Sequence, residues 1–227
     1  MGSGLDITFM LEILPKLLKG ALLTLELSIL CVILSSLAGL LLGTARVLGP
    51  RWLRMLVQAY VDVIRGVPPI TIIALAYFGL PEVGLTLDEY WTGVLALTLV
   101  GGGYAVEILR AAIESLGKGQ SEAAAALGLS RLQTYWDVLL PQSLRLVLPP
   151  LTNELANLIK ASSLLSVISV NELAKTGNDL IFQHFVVIEV LLQVTLLYLL
   201  IIGSLDVLSR WLETSRLVHP ERYRSSA

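Results

Sequence analysis

Residues 21–42 read ALLTLELSILCVILSSLAGLLL, and this stretch decides the fold class. Its one acidic or basic residue is Glu26. A surface helix of a soluble protein keeps a polar face, whereas one that is apolar all round is buried in a large core or in a bilayer. A membrane helix needs roughly 20 mostly apolar residues, and this run supplies them. Glu26 at such depth is expected to bond to a neighbouring helix rather than stand alone.

The whole chain has the same character. Of its 227 residues 55% are hydrophobic and 15% charged, with a mean hydropathy of +0.77. Soluble domains carry nearer ~25% charge. A net charge of -2 gives no electrostatic footprint for nucleic acid. Cys31 is the single cysteine and sits in the apolar run, so the chain makes no internal disulfide or cysteine-built metal cluster. The first apolar run is too long for the core of a secretory signal, so insertion is expected to rely on the spans themselves.

Working outward, four further stretches are long and apolar enough to span: about 56–80, 91–112, 142–170 and 185–208. The second of the five is interrupted by Arg65-Gly66-Val67-Pro68-Pro69, and the fourth carries Pro149-Pro150. The expected fold is therefore all-α, a polytopic membrane protein with five transmembrane helices. Arginines and lysines mark the cytoplasmic side. Arg46, Arg51 and Arg54 follow the first span, Arg110, Lys118 and Arg131 follow the third, and Arg210, Arg216, Arg222 and Arg224 follow the fifth. The loop before Trp91 has no basic residue, and that before the fifth span has only Lys175. This orders the chain as an external N-terminal segment (1–19), a transmembrane domain (20–213) and a cytoplasmic tail (214–227). Lys16 and Lys19 run against the rule. Tyr90 and Trp91 fit an interfacial anchor.

The loop between the third and fourth spans contains Ser121-Glu122-Ala123-Ala124-Ala125-Ala126-Leu127-Gly128. Ser121 is a candidate N-cap, the alanines favour helix and Gly128 can end it. Ser130 and Gln133 have capping-box spacing for a second short helix, and Pro141 is expected to set the entry to the fourth span. Read on composition alone, this is either an ordinary interhelical loop or a docking element for a partner.

Glu122-Ala123-Ala124, Gly128, Val138 and Leu140-Pro141 stand in the order of the E-A-A loop of ABC importer permeases, which the sequence resembles; Val138 replaces the usual isoleucine. Arg65-Gly66-Val67-Pro68-Pro69 with Tyr77-Phe78-Gly79-Leu80-Pro81 is similar to the corresponding run of the polar amino acid (histidine/glutamine/arginine) permeases. So are Tyr104-Ala105-Val106-Glu107 with Arg110, and Asn153-Glu154 through Lys160-Ala161-Ser162-Ser163-Leu164 to Glu172-Leu173. Val67, Ile72 and Ala161 depart from the family pattern, leaving the particular amino acid open. The resemblance implies a type I ABC importer permease in the bacterial inner membrane. Its loop would couple to a cytoplasmic ATPase dimer through Glu122, Ala123, Ala124 and Gly128. It also implies a second permease subunit and an external amino-acid-binding protein.

This chain carries no ATP site of its own, because Gly117-Lys118 is followed by Gly119, and Ala112 stands where the first glycine of a phosphate loop belongs. ATP and magnesium are expected on the partner, and no cofactor or metal on this chain. Five spans enclose a pathway poorly, which favours a two-fold dimer. A secondary carrier or channel acting without an ATPase is the alternative, disfavoured by the loop and by the absence of an internal repeat. His184 and His219 lie outside the spans and form no catalytic spacing, so an embedded enzyme has no support.

Asn153, Asn157 and Lys160 recur at i, i+4 and i+7 on one face of the fourth span, with Glu154 on its flank. They form either a polar pathway wall or a hydrogen-bond network between helices, with Lys160 paired to Glu154 or Glu172. The expected pathway residues are Asn153, Glu154, Asn157, Gln193 and Tyr104. Glu107 is read first as an ion pair with Arg110; Asp62 and Arg65 repeat that spacing.

Overall fold

The structure, a computed structural model, describes residues 5–214. Every regular element among them is helical. The expected tail, residues 214–227, lies almost wholly outside the described residues.

Helix α1 is Ile7–Leu48, 42 residues in one piece. It is about 63 Å long at ~1.5 Å per residue, roughly twice a bilayer's apolar thickness. The 21–42 run is thus only its middle. The helix begins where Asp6 caps it: the Phe9 N–H donates to the Asp6 carboxylate at 3.0 Å. Helices α2 (Arg51–Gly66) and α3 (Pro69–Glu82) replace the expected second span. Val67 is extended between them, because Pro68 disfavours a helical residue before it and Pro69 has no N–H to give. Helix α4 is Glu89–Ser115, entered through Asp88, whose carboxylate accepts from the Trp91 N–H at 2.8 Å.

Helices α5 (Lys118–Ala126) and α6 (Arg131–Gln133) form the loop, followed by a π-helical turn (Thr134–Leu139) and α7 (Leu140–Ser162). A 3-10 turn (Ser163–Ile168), α8 (Leu173–His184) and α9 (Ile188–Thr214) complete the described residues. The fourth span therefore ends at Ser162 rather than near residue 170, and α8 is an additional helix ahead of the fifth.

By length and apolarity α1, α4 and the part of α9 from Ile188 to Leu205 can cross a membrane, and the broken pair α2/α3 adds one more where it counts as a single span. Helix α7, at 23 residues, is also long enough. Arg145, Glu154, Lys160 and two internal prolines lower its apolarity. The chain is a multi-pass helical membrane protein, and the count of five rests on α7 and on the α2/α3 pair.

The helices pack as two compact units, each drawn from separate stretches of the sequence. The first comprises residues 5–31, 69–97 and 155–206. Its core packs Ile13, Leu17 and Ala21 of α1 with Ile159, Leu173, Leu180, Val190 and Ile201. At its centre Glu172 is fully buried and caps α8, accepting from the backbone N–H groups of Ala174 and Lys175 at 3.0 and 2.7 Å. Tyr198 donates to the same carboxylate at 2.9 Å and Thr24 at 3.4 Å. The expected Lys160–Glu172 pair is absent. The carboxylate is already taken by these uncharged donors, and Lys160 is exposed and in no ion pair among the described residues. Glu26 does bond between helices, accepting from the Tyr90 hydroxyl at 3.2 Å.

The second unit comprises residues 32–68, 98–154 and 207–214. Here α1 and α4 approach at Gly39 and Gly43: a Cβ on Gly39 would collide with that of Ala105, and one on Gly43 would stand 2.7 Å from Leu109. Small residues four apart permit such close helix approach. On the other side of α4, Gly103 admits Ile64 of α2 in the same way, with a Cβ-to-side-chain distance of 2.6 Å.

Candidate functional site

The coupling loop is built from short-range rules. Helix α5 starts at Lys118, not at Ser121, because Gly117 turns the chain at φ 71 and serves as the N-cap without a side-chain bond. Its end follows the expectation: Gly128 has φ 77, a region that glycine enters at little cost. The Gly128 N–H donates to Ala125 at 3.0 Å and that of Leu129 to Ala124 at 3.1 Å, a Schellman ending. The Ser130–Gln133 capping box also forms, with bonds of 2.9 and 3.3 Å.

Pro141 does not separate a short helix from the fourth span. The backbone instead widens into the π turn, and the Leu140 N–H reaches back to the Tyr135 carbonyl. One extra residue lets the helix pass the proline without a break. Tyr135 is 1% exposed and its hydroxyl is hydrogen-bonded to that of Thr44 at 2.7 Å. Burial pushes that hydroxyl's pKa up, so it stays neutral.

Of the expected coupling residues, Glu122, Ala123 and Gly128 are exposed, while Ala124 is buried at 2%. Ala124 therefore seats α5 on its own chain, and the free rim is Glu122, Ala123 and the turn. Leu127, 80% exposed beside Gly128, belongs to that rim and was not among the expected contacts. A lone large apolar residue at a helix end ahead of a glycine was its signal.

The expected pathway residues fall in different settings. Tyr104 lines a cavity of about 380 Å³ with Arg65, Glu107, Ser115, Leu146 and Pro150, all within the second unit. Glu107 is not simply Arg110's partner. Arg46 reaches it at 3.0 Å, Arg110 at 2.5 Å and Arg65 at 3.7 Å. Asp62 accepts from Gln58 at 2.6 Å, leaving Arg65 to Glu107. Pro149 and Pro150 cannot donate to the carbonyls four residues back, at Arg145 and Leu146. Leu146, Pro150, Asn153, Asn157 and Lys160 are all exposed and recur at helical spacing on one face of α7. Glu154 points elsewhere, 7% exposed and engaged in an interaction of its own. Gln193 is 7% exposed, and its amide donates to the Met10 carbonyl at 2.8 Å, tying α9 to α1.

The described residues form several apolar helices with a short glycine-ended helix exposed along one rim ahead of α7, the build of a multi-pass membrane protein. Residues 35–217 match the model of one family, the binding-protein-dependent transport system inner membrane component, and the chain belongs to it. Among curated relatives it is 38% identical over 202 residues to the glutamine transport system permease protein GlnP of Escherichia coli, covering 88% of this chain and 92% of that one. It is 36% identical over 203 residues to the probable amino-acid ABC transporter permease protein YckA of Bacillus subtilis, covering 89% and 90%. Among solved structures, that of an amino acid ABC transporter with histidines aligns at a TM-score of 0.87 and 28% identity, covering 92% of this chain and 98% of that one. An inward-facing methionine ABC transporter shares the fold at a TM-score of 0.72 and 21% identity, covering 88% and 97%.

Proposed function

We propose that this chain is the permease subunit of an ATP-driven importer of polar amino acids in the bacterial inner membrane. It pairs with a second permease subunit, takes its ligand from an external amino-acid-binding protein, and is driven by a cytoplasmic ATPase pair that holds ATP and magnesium. Relatives named as glutamine and arginine permeases support the substrate class. The N-terminus is external and the α5 loop cytoplasmic in this reading, which the arginine distribution supports. The observation that carries the reading is the free rim of α5, where Glu122, Ala123, Leu127 and Gly128 are exposed around a Schellman ending. A partner's groove closes on that rim when ATP binds, and the motion opens the pathway outward. Hydrolysis resets it. The amino acid passes the α7 face bearing Asn153 and Asn157, whose amides replace hydrogen bonds lost on leaving water. Tyr104 lines the pathway from the wall of the 380 Å³ cavity, and Gln193 ties α9 to α1.

Two substitutions at one position test the docking. A Cβ on Gly128 meets nothing within 4 Å, so alanine and tryptophan there suffer the same backbone strain at φ 77. Only tryptophan also obstructs a partner. Gly128→Ala should retain most substrate-stimulated ATP hydrolysis and uptake in reconstituted vesicles, and Gly128→Trp should abolish both while the chain still inserts. Equal behaviour of the two variants sinks the assignment.

A further inference from the structure

Helix α2 has three faces, and only one of them is explained by packing. Val57, Val61 and Ile64 are buried within the second unit. Trp52, Met55, Leu56 and Val63 form an exposed apolar face, each about 60% accessible. Arg51, Arg54, Gln58, Asp62 and Arg65 recur at i, i+3, i+7, i+11 and i+14, a polar stripe along the helix. The lower part of that stripe is internally satisfied: Gln58 bonds Asp62 and Arg46, and Arg65 and Arg46 serve Glu107. The upper part is not. Arg51 and Arg54 are exposed and in no ion pair among the described residues.

These two arginines line a cup of about 390 Å³ with Arg46, Met55 and Gln58. They also occupy the first turn of α2, where the helix dipole disfavours cations and no acidic residue relieves them. An anion seated in the cup reverses that penalty. The chemistry asks for more than a free anion, because Met55 forms part of the wall and the exposed Trp52 and Leu56 flank it. A basic recess beside an apolar face with an interfacial tryptophan matches an anionic phospholipid, headgroup in the recess and acyl chains along the helix.

We infer that the cup formed by Arg46, Arg51, Arg54, Met55 and Gln58 binds the phosphate of an anionic phospholipid in the cytoplasmic leaflet. The placement in that leaflet rests on the orientation proposed above; the binding itself does not. Arg46 is the fixed wall, held by Glu107, and Arg51 and Arg54 are the phosphate donors.

The test is native mass spectrometry of the delipidated full-length chain, with whatever ATPase co-purifies, titrated with phosphatidylglycerol or phosphatidylcholine. The wild type should retain phosphatidylglycerol preferentially. Arg51→Gln with Arg54→Gln should weaken that retention about 25-fold, roughly five-fold per arginine, and leave phosphatidylcholine unchanged. Arg51→Lys with Arg54→Lys should keep most of the preference. No preference in the wild type overturns the inference whatever the variants do. So does full competition by soluble glycerol phosphate, which makes the site one for free anions. A glutamine variant that keeps its lipid but sheds the ATPase overturns it in favour of a protein-docking surface. Failure of any ATPase to co-purify sinks the permease reading instead, and the lipid titration is still read on the chain alone.

Discussion

Glu107 and Glu172 are carboxylates in different units, the first partly exposed and the second fully buried, and each receives several donors. The donors differ in kind. Glu172 is 0% exposed and is held by two backbone N–H groups and the hydroxyls of Thr24 and Tyr198, all uncharged. Glu107, 23% exposed at its side chain, is ringed by Arg46, Arg65 and Arg110. Uncharged donors spread over α1, α8 and α9 make Glu172 a knot that fixes three helices. Arginines make Glu107 a charge balance at the rim of a cavity, open to water and salt. The contrast separates a group buried for the fold from one balanced by charge and left partly open to solvent, although hydropathy treats the two alike.

Removing the knot should cost most. Glu172→Ala strands several buried donors together, for an expected loss of about 3–5 kcal/mol. It should appear as little folded chain by size-exclusion chromatography, with Glu172→Gln intermediate. If Glu107→Ala is equally damaging, the contrast fails. Glu107→Gln leaves three arginines crowded around a neutral group, and partial exposure limits the cost to about 1–2 kcal/mol by thermal melting in detergent. Salt sharpens the distinction. At about 1 M the Debye length falls to ~3 Å, so the Glu107→Gln penalty should shrink while that of Glu172→Gln stays. Tyr198→Phe deletes one donor to Glu172 and should lower stability by about 1 kcal/mol. Least of all, Asp179→Asn breaks the i,i+4 pair with Lys175, 2.5 Å long but partly exposed, and should shift the melt by under about 0.5 kcal/mol.

What can be read without coordinates is local. The 21–42 run, the Pro68-Pro69 break, the Ser130–Gln133 box and the glycine ending at Gly128 all follow from neighbours in sequence. The start of α5 escapes such reading because Gly117 caps with backbone freedom and has no side chain to announce it. The Glu107 cluster is only half visible. Arg110 lies three residues away, but Arg46 and Arg65 arrive from other helices, and no spacing rule spans 61 or 42 positions. A partner for Lys160 follows only from the premise that a cation in a span must find one within the chain. An exposed position removes that premise, since the group can face a neighbouring subunit or water.

The π turn at Thr134–Leu139 has a bearing on how this helix tolerates change. An α-helix advances about 100° per residue, so a residue lost from a regular stretch turns everything after it by that angle. A π turn closes with one residue more than an α turn and takes up that residue locally. Deleting one residue there would tighten it to ordinary α geometry and leave the later side chains of α7 near their present azimuth. The turn is thus a place where the chain can change length by one residue without rotating the helix that follows.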